Sequence, residues 1–102
     1  MKEHIQNQIQ NTIQNNRIVL FMKGTKEAPQ CGFSAQVVKL LNQYAVPFET
    51  MDVLSDWDLR EGLKEFSQWP TFPQLYVDQK LIGGSDITMQ LHQSGELATI
   101  LK

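Results

Sequence analysis

The sequence contains one cysteine, and its neighbours read Cys31-Gly32-Phe33-Ser34. This is the spacing of a Cys-x-x-Cys redox motif with a hydroxyl in place of the second thiol. In a dithiol protein the second thiolate attacks the mixed disulfide and resolves it. Ser34 cannot, so a mixed disulfide at Cys31 needs a thiol from outside the chain. The competing reading is an inert core residue, because free cysteine is among the most buried residue types. Placement favours reactivity. Cys31 falls between an apolar run ending at Met22 and a helical pattern starting near Gly32. That is the carboxyl end of a strand, where ligands bind in α/β sheets. It is also a helix N-terminus, whose unpaired N–H groups and dipole favour a negative charge. A thiolate is expected there, with a depressed pKa, and Lys23 at the strand end adds a second positive influence.

The elements that must position this sulfur are set by periodicity. Ile5, Ile9 and Ile13 recur every fourth residue among polar neighbours and predict a first helix with one apolar stripe. Ile18 to Met22 is a continuous apolar run, expected of a strand buried on both faces of a parallel sheet. Lys23 and Gly24 end it, and Thr25 to Gln30 form a polar loop containing Pro29. Val37, Val38, Leu40, Leu41 and Tyr44 give a helix over about 32–45 its core face, and Phe48 to Val53 is the next strand. Ser55-Asp56-Trp57-Asp58 resembles a capped helix start, continued by Leu59, Leu63 and Phe66 and ended by Trp69-Pro70. Gln74–Val77 and Lys80–Ile82 flank Asp78-Gln79 as a hairpin. Gly83-Gly84 then break the strand. Ser85 or Asp86 is expected to cap a helix carrying Ile87 and Leu91, and Leu97, Ile100 and Leu101 close the chain after Gly95.

The order α-β-α-β-α-β-β-α-α places the first two strands parallel through a right-handed crossover and the last two antiparallel. The expected fold class is α/β: a thioredoxin-like fold with a mixed four-stranded sheet flanked by helices on both faces. The 102 residues, 41% of them hydrophobic, suit one domain over 1–102, with no linker or internal repeat. A formal net charge of −2 lacks the basic bias of a nucleic-acid binder. No apolar run approaches the roughly 20 residues that cross a bilayer, so no membrane association is expected. Met1-Lys2-Glu3-His4 leads into a Gln/Asn-rich stretch without the apolar core of a secretory signal, and the expected compartment is cytoplasmic. His4 and His92 are isolated and read as surface residues, and Trp57 and Trp69 read as packing residues, with Trp69 at the edge of the site.

Cys31-Gly32-Phe33-Ser34 resembles the CGFS signature of monothiol glutaredoxins. The similarity runs from about Ile18 to Leu101. It includes Met22-Lys23-Gly24, Trp69-Pro70-Thr71-Phe72-Pro73-Gln74-Leu75 and Gly83-Gly84-Ser85-Asp86, in the order of that family. The resemblance implies a glutathione site. Lys23 and Arg60 correspond to the cations that meet the glycine carboxylate. Thr71, Phe72 and Pro73 correspond to the loop with a cis proline, whose Phe72 backbone pairs with the glutathione cysteine. Gly84, Ser85 and Asp86 correspond to the helix start that holds the γ-glutamyl carboxylate and ammonium, and Gly32 and Phe33 to the pocket lining. Taken singly, these are ordinary surface charges, turns and caps; their joint arrangement around one thiol carries the reading. Many members of the family have a second cysteine where this chain has Ser85, so a disulfide between Cys31 and that position is ruled out here. The long Gly24–Gln30 loop matches CGFS proteins, in which it goes with weak oxidoreductase activity.

Function then turns on a count of thiolates. A [2Fe-2S] cluster normally takes four. Two chains supply two through Cys31, and two glutathione molecules supply the others. The resemblance thus implies a cluster-bridged homodimer that delivers clusters to apo iron–sulfur client proteins, and it adds BolA-type proteins as partners. Cys31 is then both metal ligand and catalytic residue. The alternative is a glutathione-dependent oxidoreductase that removes glutathione from protein thiols with Cys31 as nucleophile. Sequence alone leaves open whether the protein is an enzyme. A third reading, a plain interaction domain with Cys31 buried, predicts a thiol that resists labelling.

Overall fold

The computed structural model describes residues 1–102. Nine elements follow in order: α1 (Glu3–Asn15), β1 (Ile18–Met22), α2 (Gly32–Gln43), β2 (Glu49–Asp52), α3 (Trp57–Ser67), β3 (Gln74–Val77), β4 (Lys80–Gly83), α4 (Ser85–Ser94) and α5 (Glu96–Leu101). The sheet order is β2-β1-β3-β4, with β1 parallel to β2 and antiparallel to β3, and β3 antiparallel to β4. This is the thioredoxin-like arrangement expected from the sequence.

The central strand shows why its sequence is apolar throughout. Side chains alternate across a strand, so Ile18, Leu20 and Met22 face the core formed with α2, α4 and α5, while Val19 and Phe21 face the core formed with α1 and α3. All five are buried. The isoleucine stripe of α1 fills the second core, and burial of each such side chain contributes about 1.5–3 kcal/mol. Helices α1 and α3 approach closely at Gly62, where a Cβ would stand 2.6 Å from Ile5 Cγ2.

Element ends differ from expectation in instructive ways. α2 stops at Gln43 rather than near Ala45, because Ala45 has turned into the left-handed region at φ 55°. The second strand keeps only Glu49–Asp52 of the expected 48–53. Asp56 does cap α3, its side chain accepting from Leu59 N at 3.1 Å. At α4, however, neither Ser85 nor Asp86 is the cap: Gly84 holds that position and both residues lie in the first helical turn. The hairpin turn is Asp78-Gln79 with both residues at positive φ, 51° and 68°, the twist that a two-residue turn between antiparallel strands requires.

Candidate functional site

Cys31 is the N-cap residue of α2, with extended backbone angles and a half-buried side chain. The N–H groups of the first helical turn have no partner inside the helix, and they face the sulfur. The Ser34 backbone N–H is the main cause holding the Cys31 thiol below its ordinary pKa. Partial burial opposes it, while the Phe33 N–H, the Lys23 charge and the Ser34 hydroxyl reinforce it in that order. Ser34 is more than a missing thiol. It is 0% exposed, and its Oγ accepts from Lys23 N at 3.2 Å, tying the end of β1 to α2.

The sulfur opens onto a cavity of about 510 Å³. Two cations, Lys23 and Arg60, and one carboxylate, Asp86, are among its lining residues. The Arg60 guanidinium lies 5.3 Å over the Trp57 ring, and its Nε is buried without a hydrogen-bond partner. Thr71, Phe72 and Pro73 form another part of the lining, and the Phe72–Pro73 peptide bond is cis. Gln74 holds this loop from behind: its Nε2 donates to Trp69 O at 3.1 Å and to Thr71 O at 3.2 Å. Gly84 and Ser85 complete the lining at the head of α4. A Cβ on Gly84 would stand 3.3 Å from Pro73 O, so the glycine lets the helix start close against the proline loop.

The structure therefore gathers Lys23, Cys31, Phe33, Arg60, Thr71, Phe72, Pro73, Gly84, Ser85 and Asp86 around one cavity. Gly32 is not among its lining residues. It is exposed, and a Cβ there would meet nothing within 4 Å, so its face is open space. Pro70 and Ile87, which the sequence marks only as a helix end and a residue of the next helix, also line the cavity, and Trp69 lies at it as expected. Trp57 is no packing residue: it is 65% exposed beneath Arg60. His92 is not a plain surface residue either, since its Nδ1 shares a 2.7 Å hydrogen bond with the Tyr44 hydroxyl.

The glutaredoxin family profile matches residues 18–82. A probable monothiol glutaredoxin 2 of Rickettsia typhi is 58% identical over 94 residues, which are 92% of this chain and 85% of that protein. The chain belongs to the monothiol glutaredoxins. Among solved structures, reduced poplar apo GrxS14 shares 48% identity at a TM-score of 0.84, over 93% of this chain and 87% of that one. A buckwheat glutaredoxin–glutathione complex shares 25% identity at a TM-score of 0.83, over 99% of this chain and 93% of that one. For a monothiol glutaredoxin the local chemistry is then a sulfur disposed to ionise, beside a cavity lined by two cations and a carboxylate. No helix is long and apolar enough to cross a membrane.

Proposed function

We propose that this monothiol glutaredoxin binds glutathione in the cavity beside Cys31 and carries a [2Fe-2S] cluster between two copies of the chain, for transfer to apo iron–sulfur proteins and redox homeostasis. The observation that carries the reading is a lone half-buried thiol, disposed to ionise, beside a cavity whose charges complement glutathione. Glutathione has two carboxylates and one ammonium. Lys23 and Arg60 meet the glycine carboxylate, and bidentate pairing makes a guanidinium well suited to it. The Thr71–Pro73 backbone meets the cysteine residue of the ligand. N–H groups at the head of α4 take the γ-glutamyl carboxylate, Asp86 takes the ammonium, and Phe33 covers the ligand from the α2 side. A buckwheat glutaredoxin of the same fold was solved with glutathione, which supports glutathione as the ligand.

The cluster is cargo in this reading. No group of three or more His, Cys, Asp or Glu side chains in the chain could hold a metal ion. With one cysteine, each chain offers the cluster one thiolate, and four are normally needed. A second copy and two glutathione thiolates complete the set, and a cluster held partly by exchangeable small molecules is readily released. BolA-type proteins replace one subunit in the same scheme, and the setting is cytoplasmic.

The depressed thiol pKa favours one further reading, that of a thiol–disulfide exchange enzyme. The Cys31 thiolate attacks the glutathione sulfur of a protein–glutathione disulfide, forms a Cys31–glutathione disulfide and expels the protein thiolate. A second glutathione thiolate then attacks, freeing Cys31 and leaving as glutathione disulfide. The Ser34 hydroxyl resolves neither disulfide.

Anaerobic incubation with iron, sulfide and glutathione tests the proposal. The protein should turn brown and run as a dimer, Cys31→Ser should stay colourless, and an apo-ferredoxin should receive the cluster. A colourless monomer that turns over glutathionylated protein rapidly would establish the exchange enzyme instead.

A further inference from the structure

We propose that Asp52 is a positioning residue that holds Lys23 and Arg60 in register and so makes the site selective for a ligand bearing a free glycine carboxylate. The inference rests on the glutathione reading of the site. Asp52 ends β2, and a single oxygen, Oδ1, accepts from Gly24 N at 2.9 Å and from Leu54 N at 2.8 Å. The Leu54 bond is an ordinary local turn, two residues along the chain. The Gly24 bond spans 28 residues and serves no turn.

What the two loops carry gives the shared oxygen its meaning. Gly24 directly follows Lys23. Leu54 leads into Asp56, the cap of α3, whose carbonyl accepts from Arg60 N at 3.0 Å. The oxygen therefore joins the segment bearing one cation to the segment bearing the other. Asp52 forms none of the chain's four ion pairs, and its side chain bonds to these two backbone N–H groups. Bonds to an ionised acceptor are about twice as strong as neutral ones. Its main chain serves the same junction: the Asp52 carbonyl accepts from Ser55 Oγ at 3.0 Å, and the adjacent Val53 N donates to Met22 O at 2.8 Å.

A lysine and an arginine grip one carboxylate only while their separation is fixed. Loss of the Asp52 acceptor removes the side-chain tie between Gly24 and the α3 segment and leaves only the Val53 N to Met22 O bond at that junction. It leaves the Ser34 N–H, the main support of the Cys31 thiolate, in place.

Calorimetric titration of the full, reduced chain decides the matter, with glutathione as one probe and glutathione monoethyl ester, whose glycine carboxylate is blocked, as the other. Asp52→Ala should weaken glutathione binding about tenfold and change ester binding by less than about twofold. Asp52→Asn keeps an oxygen acceptor and should stay within about threefold of the parent for both ligands. Amide exchange at Gly24 and Leu54 should quicken in Asp52→Ala. Equal weakening of both ligands, or of neither, overturns the selectivity. Unchanged exchange at Gly24 overturns the tether itself. Absence of glutathione uptake by the parent chain refutes the glutathione reading, and the exchange result then still stands or falls separately.

Discussion

Replacement of Gln74 by leucine tests how the proline loop is held. Gln74 is 0% exposed, and its Nε2 gives one proton to Trp69 O and the other to Thr71 O, while its Oε1 is buried with no partner. Gln74→Leu keeps the volume and removes both bonds, which costs about 1 kcal/mol for each. It also removes an unpaired buried acceptor, whose desolvation penalty is itself about 1–3 kcal/mol. The two effects offset, and global stability should fall by no more than about 1 kcal/mol. That is a loss of up to roughly 4–8 °C in Tm for a domain of this size. The local effect is not offset. Thr71 O loses its partner and Trp69 O keeps only the 3.5 Å bond from Ser67 Oγ, both on the segment that lines the cavity, so glutathione affinity should fall about tenfold, or about 1.4 kcal/mol. Urea unfolding and calorimetric titration on the same preparation measure both. A stability loss above about 3 kcal/mol would refute the reasoning, because Oε1 would then have a partner such as a buried water. Unchanged affinity would equally refute it, because the loop would then hold itself.

Two predictions concern pH. The Cys31 thiol is depressed in the folded chain below its ordinary value of 9.0, so its contribution to stability is full above 9.0 and is lost as pH falls through the folded value. Denaturant titrations of reduced protein across that window should show the rise for the parent and not for Cys31→Ser, and the rate of iodoacetamide labelling should reach half its plateau below 9.0. Tyr76 behaves in the opposite sense: burial pushes its hydroxyl from 10.0 up to about 12, with the Ser67 hydroxyl opposing. Its contribution is full below 10.0 and is lost as pH rises through about 12. Roughly 3 kcal/mol is involved, so Tyr76→Phe should unfold at higher pH in alkaline titration followed by circular dichroism, and an unmoved midpoint would contradict it.

Local pattern makes much of this molecule legible in its sequence. The unbroken apolar run of β1 reports burial on two faces, and the isoleucines of α1 report one buried stripe, because each pattern is a direct image of backbone periodicity. The position of Cys31 is fixed by two element boundaries, the end of β1 and the start of α2, that are neighbours along the chain. What stays hidden depends on partners distant along the chain. Gln74 reads as one polar residue in a strand until its amide is seen holding the 69–71 segment. The one available hint is physical: a polar side chain inside an apolar strand must find partners when buried. Asp52 reads as one polar residue of a strand until Gly24, just past the end of the neighbouring strand, is seen donating to it. Trp57 fails as a packing residue because its helix turns that position to solvent, where Arg60 covers it. Ser85 and Asp86 are expected as caps by residue type, yet the close approach of Gly84 to the proline loop sets the helix start one residue earlier.

The order of causes at Cys31 bears on how one site can both bind a carboxylate and keep a reactive sulfur. Were Lys23 the main support of the thiolate, a ligand carboxylate on that ammonium would neutralise it and return the sulfur toward an ordinary thiol. The dominant support is instead the Ser34 backbone N–H, with the Phe33 N–H also ahead of Lys23. Those groups are fixed by α2 and no bound carboxylate can titrate them. Neutralising Lys23 removes only a lesser influence, so the sulfur stays disposed to ionise with the cavity filled. Cluster carriage and thiol–disulfide exchange both require that state, since a cluster ligand and an exchange nucleophile must each be thiolates beside a bound glutathione. Ser34 supports the Cys31 thiolate through its backbone N–H, although its side chain cannot resolve a mixed disulfide. Its buried hydroxyl meanwhile fixes Lys23 N at the end of β1.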